Sequence, residues 1–162
     1  MSPVLVQADN HQHIEQARDL FREYAGSLGF DLSFQDFEME LSRLPDDYAP
    51  LYGRLTLALF EDVAVGCVAL RRLTGDICEM KRLYVRPAYR GRRIGLALTE
   101  HTIIAARTIG YSRMRLDTIV PSMAAAIRIY RRLGFKEIPP YRANPIKGAL
   151  YLELDLAMAR LP

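Results

Sequence analysis

A chain of 162 residues, half of them hydrophobic and a quarter charged, has the balance of one globular domain and excludes a disordered or low-complexity protein. Its formal charge is +3, and no apolar run approaches the ~20 residues that a membrane-spanning helix requires. The start Met1-Ser2-Pro3-Val4 lacks the charged and apolar regions of a secretory leader, so the expected compartment is the cytoplasm, with Cys67 and Cys78 as free thiols. Neither cysteine has a Cys-x-x-Cys partner, and no metal site is expected.

Val4-Leu5-Val6 predicts an opening strand. After Asp9 or Asn10 as a cap, Ile14, Ala17, Leu20, Phe21 and Tyr24 recur at helical spacing up to the break Gly26-Ser27-Leu28-Gly29. A second helix is expected to start at Ser33, where Ser33 and Asp36 make an imperfect capping box, and to stop before Pro45. The period then changes to two. Residues 54–60 and 63–71 read as strands joined at Glu61-Asp62, and Thr74-Gly75-Asp76 leads to a third strand from Ile77 to Val85, completing an antiparallel meander. Arg93 to Thr108 carries helical spacing through Ile94, Leu98, Ile103 and Ile104 until Gly110 stops it. A strand over Arg113 to Thr118, a helix from Ser122 to Leu133 and strands near 135–138 and 149–156 follow. The order is β-α-α-β-β-β-α-β-α-β-β, a mixed α/β (α+β) sheet flanked by helices, and the absence of repeats or linkers makes 1–162 one domain.

Between residues 79 and 93 lie Lys81, Arg82, Arg86, Arg90, Arg92 and Arg93 against Glu79 alone, a local excess of five that leaves the other 147 residues at −2. Such a patch implies an anionic partner. Its core, Arg90-Gly91-Arg92-Arg93-Ile94-Gly95-Leu96-Ala97, stands between a strand end and a helix start. There unpaired N–H groups and the positive end of the helix dipole favour a phosphate, and glycines let it approach the backbone. The nucleotide loops G-x-G-x-x-G and G-x-x-x-x-G-K-(S/T) do not fit the spacing, which argues against NAD and ATP.

These residues resemble motif A of the GNAT superfamily of acetyl-CoA-dependent N-acetyltransferases, (Q/R)-x-x-G-x-(G/A), matching at Arg90 and Gly95, with Arg93 in place of the first motif glycine. About 30 residues on, Ala126-Ile127-Arg128-Ile129-Tyr130-Arg131-Arg132-Leu133-Gly134-Phe135 resembles motif B, with Met123 where Asn is usual. Motif A spans 77–109 and motif B 113–138. The likeness covers residues 54 to 156, while the first 50 match only in a helix-helix plan that in this family borders the acceptor.

The resemblance implies that acetyl-CoA is the cosubstrate. The backbone of Leu83, Tyr84 and Val85 would bond pantetheine, and Arg90, Gly91, Arg92, Arg93, Ile94, Gly95 and Leu96 would hold the pyrophosphate. Glu79 falls where several members carry a base, and strand alternation puts it on one face with Lys81 and Leu83 unless a bulge intervenes. Lys81 and Arg82 beside it would weaken it as a base, and the plainer reading is a partly exposed carboxylate paired with one of them. Tyr130 sits at the motif B tyrosine that the family uses as an acid toward the CoA thiolate. Without the resemblance it reads as a packing residue on the face of Ile127 and Leu133.

His11-Gln12-His13 has no ligand cluster nearby, and His101 reads as a helix surface residue. Tyr24, Phe30, Phe34, Tyr48, Tyr52 and Tyr141 could line an acceptor pocket or simply pack. The stiff connection Pro139 to Pro145 could close over the acceptor, with Arg142 binding an acidic group. Cysteines buried in strands with no nearby His argue against a covalent acyl-enzyme, so the implied reaction is direct transfer, in a ternary complex, to an amine-bearing small molecule or peptide. Two other readings stay open. One is a non-catalytic acyl-CoA sensor. The other is a basic nucleic-acid-binding module, disfavoured because aromatic-rich RNP and helix-turn-helix cues are missing. No membrane partner is expected, and the frequency of dimers among similar proteins leaves a homodimer open.

Overall fold

The computed structural model describes residues 2–29, 31–33, 36–119 and 123–162. Among the described residues, seven strands form one mixed sheet in the order β1-β2-β3-β4-β5-β7-β6. They are β1 (Val4–Gln7), β2 (Arg54–Phe60), β3 (Val63–Thr74), β4 (Ile77–Val85), β5 (Arg113–Ile119), β6 (Lys136–Ile138) and β7 (Ala149–Asp155). Helices α1 (His11–Ser27), α2 (Phe37–Arg43), α3 (Ile94–Ile109) and α4 (Ala124–Leu133) connect them in the order expected from the sequence. No helix among the described residues is long and apolar enough to cross a membrane.

Local chemistry accounts for the boundaries. Asn10 Oδ1 accepts from the His13 N–H at 2.9 Å and starts α1, whose Ala17, Leu20 and Phe21 are buried on one face. The helix expected from Ser33 starts instead at Phe37. Asp31 Oδ1 takes the Ser33 N–H at 2.8 Å into a turn, and Asp36, at φ 54, makes no side-chain cap, so the capping box does not form. The expected start of α4 at Ser122 lies outside the described residues, as do Phe30 and Phe34.

Helices cover both faces of the sheet, and each face carries its own core. Leu98 and Ile103 of α3 and Tyr130 and Leu133 of α4 pack against Met80, Met114 and Leu116 on one side. Leu20, Phe21 and Leu41 pack against Leu55, Leu57 and Cys67 on the other. Each large apolar side chain buried this way stabilises the fold by roughly 1.5–3 kcal/mol.

One irregularity in β4 decides what the site looks like. Lys81 pairs with Ala69 and Tyr84 with Cys67, so Val68 alone faces both Arg82 and Leu83. This is a β-bulge with Arg82 at φ 61, and it reverses the alternation of the strand. Cys78 and Met80 before it and Leu83 and Val85 after it face the α3 side. Leu83 therefore does not share a face with Glu79 and Lys81, as an unbroken strand would require; Arg82 turns to the α1/α2 side instead, over the rings of Tyr24 and Phe37.

Candidate active site

β4 and β5 are parallel and pair only where Ile77, Cys78 and Glu79 meet Arg113, Met114 and Arg115. Beyond Glu79 the strands part, and β4 runs on to Val85 with no strand neighbour on that edge. The gap is a cleft of about 570 Å³, walled by Leu83, Tyr84 and Val85 on one side and Leu116, Asp117 and Thr118 on the other. A free strand edge presents backbone N–H and C=O groups that an amide-bearing chain can join as an added strand.

The start of α3 closes one end of the cleft. Arg93 stands before it in the left-handed region at φ 62, and no side chain caps the helix. The N–H groups of its first turn are therefore open at the positive end of a 16-residue helix dipole. Gly91, at φ +81, makes the preceding turn in a conformation that strains any residue with a Cβ. Arg90 Nε donates to Val85 O at 2.9 Å, fastening this turn to the end of β4. Of the ten residues expected to bind a cofactor, nine line the cleft. Arg92 does not; its guanidinium lies over the ring of Tyr89 at 5.3 Å.

Tyr130 enters the same cleft from α4. Its ring is 6% exposed and packs on Phe135 at 5.4 Å between centroids. Its hydroxyl has no hydrogen-bond partner among the described residues. Burial first, then the neighbouring Tyr24 and Asp117, push the phenol pKa above its ordinary value, so the group holds its proton through neutral pH. The α4 start is tied to β5 by Met123, whose sulfur accepts from Thr118 Oγ1 at 2.9 Å and from the Ile119 N–H at 3.4 Å. Both cysteines are buried, and burial raises their thiol pKa values, that of Cys78 to about 12, which leaves no reactive thiolate.

Glu79 is fully buried rather than partly exposed, and its partners are not Lys81 and Arg82. Arg71 Nε donates to Oε1 at 2.9 Å, Tyr141 OH donates to Oε2 at 2.7 Å, and Arg142 forms an ion pair with Oε2. Two hydrogen bonds and one ion pair occupy its carboxylate, and none of its surface faces the cleft. Glu79 thus cannot receive a proton directly from a molecule in the cleft. Arg82 is held by both oxygens of Glu40 at 2.9 Å, which joins β4 to α2.

A second pocket of about 360 Å³ lies between α2, Arg71 of β3 and the segment around Arg142. Lys81 is the one described residue that lines both pockets. Burial, followed by the charge of Arg82, pulls its pKa down to about 8. Of the aromatic residues singled out from sequence, Tyr24 lines the larger cleft and Tyr48 the smaller pocket. Tyr141 braces Glu79, while Tyr52 is exposed beneath Arg72. His101 lies exposed on α3, as expected.

Two site residues have no counterpart in the sequence reading. Arg71 is the direct cross-strand partner of Glu79, but counting back from the Thr74-Gly75-Asp76 turn would have named Arg72 instead, because the register shifts by one residue between Arg72 and Thr74. Asp117 is half-buried on the β5 wall, and its alternating strand context carries no signal that it faces a cleft.

The sequence model of the acetyltransferase (GNAT) family matches residues 14–135. An uncharacterized N-acetyltransferase of Schizosaccharomyces pombe is 38% identical over 148 residues, 90% of this chain and 90% of that protein. Among solved structures, a GNAT-family acetyltransferase of Staphylococcus aureus superposes with a TM-score of 0.78 at 20% identity, covering 94% of this chain and 98% of that one. A PaiA N-acetyltransferase of Thermoplasma acidophilum, in complex with coenzyme A, superposes at 0.69 with 18% identity over 96% of this chain and 99% of that one.

Proposed function

The chain belongs to the acetyltransferase (GNAT) family, and from that premise we propose that it transfers the acetyl group of acetyl-CoA directly to a primary amine in a ternary complex. The observation that carries this reading is the meeting, in one cleft, of the free β4 edge and the uncapped start of α3. The edge suits the amides of a pantetheine arm, and the helix start suits a diphosphate. A protein of the same fold that holds coenzyme A supports the assignment.

Acetyl-CoA supplies the activated acetyl group when bound. Residues 83–85 align its arm through backbone, and the Arg90 to Leu96 turn holds its diphosphate through main-chain N–H groups. Asp117, the half-buried carboxylate of the cleft wall, takes the proton that the acceptor ammonium must lose before its nitrogen can attack. As the nitrogen bonds the acetyl carbon and the carbon–sulfur bond breaks, Tyr130 donates its phenolic proton to sulfur and recovers one from the acceptor through water. Glu79 is a positioning residue that fixes Arg71, Tyr141 and Arg142. No protein nucleophile is acylated, in keeping with the two buried thiols.

The test is a coenzyme A titration followed by thermal unfolding, with thiol release from acetyl-CoA measured across an amine panel. The midpoint is expected to rise with coenzyme A concentration as mass action requires, and thiol release is expected only when an amine is present. No thermal shift at millimolar coenzyme A sinks the reading. A shift without turnover on any amine favours an acyl-CoA sensor.

A further inference from the structure

The smaller pocket is lined by four acids and four cations, but the two signs are not placed alike, and the cations Arg71, Lys81 and Arg142 lie inside while three of the acids stand at the rim. Arg71 and Arg142 share one buried carboxylate, Glu79. The other partner of Arg71, Asp47, is 3.9 Å away with a 69% exposed side chain, a screened contact. Lys81 has no carboxylate within 4.0 Å among the described residues. Glu40, the half-buried acid of the wall, is committed to Arg82 through both oxygens. The remaining acids, Asp36, Asp46 and Asp47, are exposed at the rim together with Arg43. Three half-buried cations thus face the pocket interior around a single buried anion, and a desolvated charge without a counter-ion is costly.

Rigidity distinguishes this cluster from an ordinary surface group of arginines. The Arg142 guanidinium lies over the Tyr141 ring at 5.0 Å, and Tyr141 is itself anchored to Glu79 by its hydroxyl. Arg71 is anchored to Glu79 from β3. Each arginine spends part of its donor set on Glu79, and a guanidinium carries five N–H donors. The planar fork of the remainder matches a carboxylate better than it matches a point charge.

We propose that the smaller pocket is the acceptor site and that it takes a primary amine bearing a carboxylate, which Arg71 and Arg142 bind while the amine points past Lys81 into the larger cleft. This deepens the acetyltransfer reading and rests on it. Lys81 lines both pockets, so an acceptor seated on the arginines is one side chain away from the cleft in which the thioester would lie. A purely cationic amine would meet three like charges on that path, whereas a carboxylate neutralises one of them.

The experiment compares acceptors that differ only in the carboxylate: aspartate against its diamide, glycine against glycinamide, and 4-aminobutyrate against 4-aminobutanamide. Putrescine and phosphoethanolamine serve as further probes, with thiol release from acetyl-CoA as the readout. At least one carboxylate acceptor is expected to exceed its amide partner 100-fold or more in kcat/KM. Arg142→Gln and Arg71→Gln are expected to raise KM for that acceptor at least 30-fold while leaving KM for acetyl-CoA within threefold. Arg142→Lys, which keeps the charge and loses the fork, is expected to fall between them. The midpoint shift caused by coenzyme A reports that each variant is folded; should a glutamine variant fail to show it, the acceptor comparison in the wild-type protein still decides.

Equal use of carboxylates and amides, or a preference for putrescine, overturns the proposal, and so does a preference for phosphoethanolamine over every carboxylate. In those cases thiol release still occurs and the acetyltransfer reading stands. A protein that neither responds to coenzyme A nor releases thiol with any amine sinks that reading and this proposal with it.

Discussion

Replacing Tyr130 with Phe isolates one proton. The ring keeps its 5.4 Å packing on Phe135, and the lost hydroxyl has no protein partner among the described residues, so no buried donor or acceptor is orphaned. Stability is therefore expected to change by no more than about 0.5 kcal/mol. Proton donation at the reacting centre typically contributes about 10²–10⁴-fold. The leaving group here is a thiolate, whose conjugate acid has an ordinary pKa near ~8.5, so it needs less help than an alkoxide would. That places the expected loss near 10²-fold, a barrier increase of about 2.7 kcal/mol. Because the interaction arises only as sulfur departs, kcat and kcat/KM for the amine should fall together, with KM for acetyl-CoA within about twofold. Burial holds the phenol protonated beyond its ordinary range, so the wild-type protein should show no alkaline loss from this group below a pH of about 10. Thiol release at saturating acetyl-CoA, from pH 6 to 9.5, measures all of this. A variant that keeps kcat within threefold refutes the assignment, as does one whose whole loss lies in KM for acetyl-CoA.

Two further outcomes concern the strand that carries the site. Glu40→Gln leaves the 4% exposed Arg82 without its counter-ion, and breaking a buried pair costs about 3–5 kcal/mol. In a chain of this length that lowers the unfolding midpoint by about 6–20 °C, and the double variant Glu40→Leu, Arg82→Met should recover most of it; a drop below 2 °C in scanning calorimetry would show the pair to be energetically idle. Burial, Arg82 and Arg71, against Glu40 and Asp117, pull the Lys81 ammonium down to about 8 in the fold from its ordinary 10.5. Between those pH values the unfolded chain binds the extra proton, so wild-type stability rises with pH across the window. Lys81→Met should therefore be more stable than wild type below pH 8, with the advantage shrinking toward pH 10.5; an advantage independent of pH would count against the buried charge.

The legible and illegible parts of this chain divide along physical lines. β2 and β4 begin and end where alternation and turn residues put them, since burial of one face is written in every second residue. The open start of α3 was legible for a similar reason: Gly91 and the missing cap residue are local features. α2 was read a turn too early because Asp31 and Ser33 satisfy the same hydrogen-bonding needs in a turn that a capping box would satisfy in a helix. The bulge at Arg82 left no mark, because neither glycine nor proline stands there and a left-handed arginine looks like any other. Glu79 shows both limits at once. Its position on the strand was legible, but its pairing with Arg71 depends on a register shift between Arg72 and Thr74 that no turn residue marks, and Tyr141 and Arg142 come from 62 and 63 residues further along, a distance that no local pattern spans.

That single bulge joins the two halves of the proposed reaction. In an unbroken strand Arg82 would lie on the α3 face with Met80, deep in an apolar core where a guanidinium has no partner. The extra residue turns it to Glu40, which fastens α2 against the sheet and so sets one wall of the smaller pocket. The same reversal leaves Lys81 and Arg82 consecutive on that side and delivers Leu83 and Val85 to the α3 side, beside the helix start. The Arg82 carbonyl also accepts from Cys67 Sγ at 3.3 Å, which holds the distorted backbone to β3. Acceptor wall and cofactor edge are therefore consecutive residues of one strand, and a change that straightens β4 should disturb both pockets together.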